Sequence, residues 1–161
     1  MDSEKHIFLP LITSSCKVVT EVKKTMRSNN FHSDLYEKYL ASKIDLGTEG
    51  HIYRPVIIRG RNDLYRNEPV FVEAKHYGYT TPPAELALLL YDMLLKQKIV
   101  WQGIERLIIM HTPITDNCNI GCFIAIVCKK QEYKLDFPYA IGGKGWHSGN
   151  GFVFLAPTNR V

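Results

Sequence analysis

The sequence predicts one α/β or α+β domain over residues 1–161: two N-terminal helices, a mixed sheet with one parallel βαβ unit, and an antiparallel C-terminal meander. Three observations carry this expectation. The apolar run Val70-Phe71-Val72-Glu73-Ala74-Lys75, a leucine-rich stretch from Thr81 to about Lys98, and a second apolar run Leu107-Ile108-Ile109-Met110-His111 follow one another closely. That succession is the spacing of strand, crossover helix and parallel strand. Apolar residues recur at helical intervals in the first third, and in short runs between turn residues in the last. Finally, 161 residues that are 45% hydrophobic and 22% charged match an ordinary folded domain able to bury a real core.

The elements follow in order. Val18, Val19, Val22 and Met26 share one helical face after Ser14 or Ser15, either of which suits an N-cap, and Ser28-Asn29-Asn30 ends that helix. A second helix is expected from Ser33, with Leu35, Tyr39 and Leu40 inward and a stop near Gly47. Val56–Arg59 reads as a strand, Gly60–Asp63 as a turn, and Val70–Lys75 as the strand paired with it in a hairpin. Thr81 is the expected cap of the next helix, with Pro82 where a missing N–H does no harm. Leu86, Leu89, Leu90, Met93 and Leu94 form its apolar stripe, widened by Leu88, Tyr91 and Leu95. After a turn at Gly103, Arg106–His111 is apolar on both faces, as for a strand covered on each side. Phe123–Cys128, Tyr133–Phe137 and Phe152–Leu155 are three further strands. Between the last two lies Gly142–Gly151, with five glycines in ten residues, a composition for a mobile loop or one shaped by positive φ angles.

Several function classes are excluded or disfavoured by composition. No apolar stretch is long enough to cross a membrane as a helix, and Ile7–Ile12 is short, broken by Pro10 and preceded by acidic residues, unlike a secretory signal. Four cysteines without C-x-x-C spacing fit free thiols in a reducing, cytoplasmic setting. A net charge of +4 tolerates an anionic partner without demanding one. Arg54, Arg59, Arg61 and Arg66 are the nearest thing to a basic patch, and a solvated hairpin explains them as well. Gly143-Lys144-Gly145 is not a phosphate-binding loop, because no Ser or Thr follows the lysine.

Three constellations remain as candidate sites. Strand alternation would place Glu73 and Lys75 on one face, an acid and an amine suited to holding a divalent metal and a phosphoryl group; a charged pair on a solvated strand is the plain alternative. In a parallel βαβ unit, His76 and Tyr77 after the first strand and His111 and Thr112 after the second would share one rim with the N–H groups near Thr80 and Thr81. Open sheets bind ligands, anions in particular, at that rim, although histidines at strand ends also bond loop backbone. Trp146 and His147, with Lys144 beside them, suit a contact surface at the tip of the glycine-rich loop, or a long hairpin with a tucked tryptophan. Cys118 and Cys122 make one loose pair where structural zinc wants two tight ones, and Cys16 at a helix start is a nucleophile only if the dipole activates it.

Two stretches resemble known families. Helix, strand, strand with Glu73-x-Lys75, helix, strand, over roughly Ser33 to His111, resembles the core of the PD-(D/E)xK nucleases. The resemblance implies Glu73 as metal ligand and Lys75 as the residue that positions attacking water. The family's Pro-Asp is replaced by Arg54-Pro55-Val56, so Glu49 or Asp63 would have to be the second Mg²⁺ ligand. Arg106–Asp116 together with Gly151–Pro157 is similar to an uncharacterised bacterial domain family of unknown function, which implies a shared fold and no activity. The sequence thus leads to a non-catalytic module without cofactor, binding a protein or small anionic ligand through His76, Tyr77, Thr80, His111, Lys144, Trp146 and His147. A metal-dependent nuclease acting on nucleic acid through Glu73 and Lys75 is its rival. The oligomeric state is not written in the sequence.

Overall fold

The computed structural model describes residues 5–28, 39–116, 118–130, 132–140 and 145–157. In chain order the elements are β1 (His6–Phe8), β2 (Ile12–Thr13), α1 (Cys16–Ser28), α2 (described over 39–42), β3 (Ile52–Tyr53) and β4 (Pro55–Arg59). They continue with α3 (Asn67–His76), α4 (Glu85–Gln97), β5 (Arg106–Thr115), β6 (Gly121–Lys129), β7 (Glu132–Asp136) and β8 (Asn150–Leu155). Six strands form a mixed sheet in the order β1-β4-β8-β5-β6-β7, while β2 and β3 pair separately. The fold is α+β. Among the described residues no helix is long and apolar enough to cross a membrane.

The sheet is covered on both faces, which explains the nearly unbroken apolar runs of its central strands. Ile57, Leu107, Ile109, Ile124, Ile126 and Val153 face α1, α2 and α4, meeting Val19, Val22, Leu40, Ile44 and the leucines of α4. Their neighbours Val56, Ile58, Ile108, Met110, Phe123, Phe152 and Phe154 face the other way, onto Val70 and Ala74 of α3 with Phe71, Tyr79 and Trp146 around them. Alternation along each strand therefore sorts one sequence into two cores.

The parallel pair exists, but not where the sequence places it. Residues 70–75 are not a strand: they lie within α3, so the hairpin with Val56–Arg59 and the βαβ unit running from 70 to 111 are both absent. Val70 and Ala74, four apart, are the buried face of α3, Glu68 stands in its first turn and Lys75 and His76 in its last. These charges complement the helix dipole, and Gly78 at φ +76° lets the chain turn away. The parallel neighbours are instead β5 and β8, registered Leu107 with Gly151 and Ile109 with Val153. β5, β6 and β7 form the expected antiparallel meander; β8 leaves it and inserts between β5 and β4, antiparallel to β4. A Cβ on Gly151 would lie 2.8 Å from Ile57 and 3.1 Å from Leu107, so only glycine lets β8 seat between them at this spacing.

Helix boundaries shift for identifiable reasons. Ser15 caps α1, its hydroxyl accepting the Val18 N–H at 3.3 Å. Ser14 instead donates to Glu85 at 2.8 Å. α4 begins at Glu85, not Thr81, because a residue before proline avoids the helical region and Pro82-Pro83 imposes this twice. Thr80 is drawn into a short bridge with Leu155, exchanging N–H and C=O bonds of 2.8 and 2.9 Å. Glu85, 1% exposed, accepts from Ser14, from the Gly47 N–H at 2.7 Å and from the Tyr53 hydroxyl at 2.5 Å, tying the β2–β3 pair to α4. The predicted helix start at Ser33 with Leu35 lies outside the described residues; Tyr39 and Leu40 are helical.

Candidate functional site

Among the described residues a wide groove lies at the β1 end of the sheet. His6 and Phe8 of β1 project to the α3 side, because Ile7 and Leu9 are taken by the opposite core. The strand ends at Phe8, two residues before Pro10, and Leu11 is 62% exposed. From the other side, α3 ends at His76 and the chain turns through Tyr77-Gly78-Tyr79. The Tyr79 N–H returns to the Ala74 carbonyl at 2.9 Å, and the positive φ of Gly78 puts the two flanking rings side by side, 5.8 Å apart and 23° from parallel. Phe8 meets Tyr79 at right angles, with ring centres 6.5 Å apart. Arg54, just before β4, and Ala156-Pro157, just after β8, close the far wall of a cavity of about 650 Å³. An adjoining recess of about 370 Å³, lined by Ile52, Thr80 and Leu155, shares Arg54 and Pro157 with it.

These walls are held from below. The Tyr79 hydroxyl and His6 Nδ1 are 2.8 Å apart, His6 Nε2 stands 3.5 Å from Glu73, and Glu73 takes two N–H bonds from Arg61. That arginine also reaches Asp63 at 2.7 Å. Hydrogen bonding from Arg61 holds the Glu73 carboxyl below the usual carboxylate range, against the opposing effect of burial. Burial chiefly raises the Tyr79 hydroxyl, so it remains neutral and is no nucleophile.

The predicted Glu73–Lys75 pair is therefore dispersed. On a helix, residues two apart point to nearly opposite sides, and Lys75 is exposed while Glu73 is bound inward. The cation between Glu73 and Asp63 is Arg61, and Glu49 sits elsewhere, accepting the Cys16 N–H at 2.7 Å at the start of α1. Among the described residues, no group of three or more His, Cys, Asp or Glu side chains is placed to hold a metal. Glu49 also decides the fate of Cys16: its hydrogen bond raises the thiol, so the helix terminus does not activate it.

The predicted rim is divided as well. Tyr77 and Thr80 belong to the groove and its recess, and exposed His76 packs edge-on against Tyr77 at 5.2 Å. His111 lies apart and is 1% exposed. It sits in the irregular stretch of β5 between Ile109 and Ile114, where pairing with β6 slips. Its Nδ1 lies 2.7 Å from the Thr112 carbonyl and must carry the proton; its Nε2 accepts the Ile124 N–H at 2.8 Å. The imidazole thus replaces a missing ladder carbonyl, and burial pushes its pKa down to about 4. Thr112 and Pro113 border another cleft of about 420 Å³ with Pro82, Pro83, Lys43 and Asp45.

Trp146 is tucked. Its ring nitrogen donates to Asn67 at 2.7 Å and its ring packs on Phe152 and Phe123, centres 5.9 and 6.3 Å away. Gly145, at φ +70°, has no room for a Cβ against the Tyr65 carbonyl, which accepts the Trp146 N–H at 2.9 Å. His147 is exposed in a turn closed by Asn150, whose side chain accepts its N–H at 3.0 Å. Lys144 lies outside the described residues, as do Gly142 and Gly143.

Phe8, Leu11 and Tyr79 were not among the sequence candidates, and Arg54 stood there only as part of the basic patch. They converge only through β1–β4–β8 pairing, which is non-local; the one local signal is Tyr77-Gly78-Tyr79, two aromatics around a turn glycine. Comparisons with protein-family models, with curated proteins and with solved structures find no match to this chain.

Proposed function

We propose that the protein is a non-catalytic binding module whose ligand, a segment of another protein, lies in the aromatic groove between β1 and the Tyr77–Tyr79 turn. One observation carries this reading. Phe8 and Leu11 at 62% exposure and Tyr77 at 50% gather around one concave surface, with Ile52 at 51% in the recess beside it, although single exposed apolar residues are normally scattered. Their setting is rigid, since the Tyr79–His6–Glu73–Arg61 chain fixes the floor before any ligand arrives. A preformed apolar cavity with a few polar groups at its border is the usual form of a binding site.

Selection from a random peptide library on the immobilised protein tests this. Selected peptides should lose about tenfold or more in affinity on Tyr77→Ala and Leu11→Asp. Both side chains are exposed, so the melting temperature should stay within a few degrees. A library yielding no binder, or binders indifferent to both substitutions, would overturn the assignment.

A further inference from the structure

The chemistry of the groove narrows its ligand, on the premise that the groove is the binding surface. Its walls are ring faces: Tyr77 and Tyr79 nearly parallel, and Phe8 perpendicular to Tyr79. Ring faces left open along a groove accept rigid apolar groups laid against them. Prolyl rings on a polyproline II backbone meet that demand, because this conformation has no internal hydrogen bonds to break and little conformational freedom to lose. The polar side of the groove is cationic. Arg54 gives one N–H to the Pro157 carbonyl at 3.2 Å, and among the described residues it pairs with no carboxylate and no acidic side chain lines the cavity. An arginine with unused donors beside an acid-free cavity favours a carboxylate on the ligand.

Two other occupants fit less well. β1 is an edge strand, but it is three residues long and ends at Phe8, two residues before Pro10, so an added strand would gain few ladder bonds. A second copy docking by two-fold symmetry would bring the Arg54 regions of both chains into one interface with no groove acid to neutralise them.

We propose that the groove binds an extended, proline-containing peptide with an acidic residue next to its prolines, the rings seated against Phe8, Tyr77 and Tyr79 and the carboxylate on Arg54. The probe is a fluorescent synthetic peptide, Pro-Leu-Pro-Pro-Leu-Pro followed by Asp-Asp, with an Asn-Asn version and a proline-free acidic version of equal length. The Asp-Asp peptide should bind saturably and more tightly than either control. Tyr77→Ala should weaken it about tenfold or more, and Arg54→Gln should weaken it several-fold while leaving the Asn-Asp difference abolished. Equal binding of the proline-free peptide, or indifference to Arg54→Gln, overturns the ligand class but leaves the groove in place, provided Tyr77→Ala still acts. Binding unaffected by Tyr77→Ala overturns both. A concentration-dependent dimer that Leu11→Asp dissolves and that excludes the peptide assigns the groove to a second copy and also overturns the proposal.

Discussion

Lowering the pH from 7 towards 4.5 should remove a defined amount of stability through His111. In the folded protein both ring nitrogens are engaged, Nδ1 as donor and Nε2 as acceptor, so protonation must break the bond from Ile124 and charge a buried ring. Burial places the folded pKa at about 4, against 6.5 for an unhindered histidine. The unfolded chain therefore binds a proton in this window that the folded chain refuses, and stability falls as pH falls. The contribution is whole above about pH 6.5 and is lost progressively on the way down to about pH 4. At about 1.4 kcal/mol per pH unit, the full loss is about 3 kcal/mol. Most of it comes before the carboxylates act: Glu49 and Glu73, both held below the usual range, lose their contributions only below about pH 4.5. Urea unfolding at half-unit steps from pH 7 to 5 measures the slope. The His111→Phe variant should be weaker at pH 7 by about 1–3 kcal/mol, because the Ile124 N–H loses its acceptor, and its slope should be shallower than the parent's. A parent curve flat between pH 6 and 5, or an unchanged slope in the variant, would refute the reasoning and return His111 to the list of ligand-binding residues.

Three other outcomes follow from the geometry. Glu73→Gln should lower stability by about 1–3 kcal/mol in urea unfolding, because Arg61 loses the more buried of its two charged partners, keeping only Asp63; an unchanged midpoint would mean that the ion pair does not support the groove floor. Trp146→Ala should cost about 3 kcal/mol and lower Tm by roughly 5–10 °C, whereas a side chain serving only as a contact surface would leave Tm in place. Thiol labelling at pH 8 should modify exposed Cys118 first and half-buried Cys128 much more slowly, since burial pushes the Cys128 thiol up to about 12; equal labelling rates would contradict the packing around Cys128 in β6.

The strands that lie deep in the sheet were legible because burial on both faces leaves an unbroken apolar run: 56–59, 106–111, 123–128 and 152–155 all announce themselves. α4 was legible from its leucine stripe for the same reason. α3 was not. Val70-Phe71-Val72 has the β-branched and aromatic content of a strand, and only tertiary context decides otherwise, when Val70 and Ala74 join the core that Ile58 and Phe154 form on this face of the sheet. Quieter signals were present in Glu68 and Pro69 in the first turn, Lys75 and His76 in the last, and Gly78 beyond. Of the residues lining the groove and its recess, Tyr77 and Thr80 were singled out by a strand-end argument whose premise fails, since no strand ends there. Phe8, Leu11 and Arg54 come from segments more than forty positions apart in part, and no periodicity reports which of them the sheet will gather.

The placement of β8 sets the order in which this molecule can be finished. It is the last described strand in the chain, yet it sits between β4 and β5. Until residues 150–155 have been synthesised, β4 carries β1 on one flank and nothing on the other, and β5 likewise has only β6. A nascent chain paused short of that point holds two sticky half-sheets with facing unpaired borders, the form most prone to join a neighbour's. Interruptions in translation before residue 150 should therefore yield aggregates rather than truncated but soluble products.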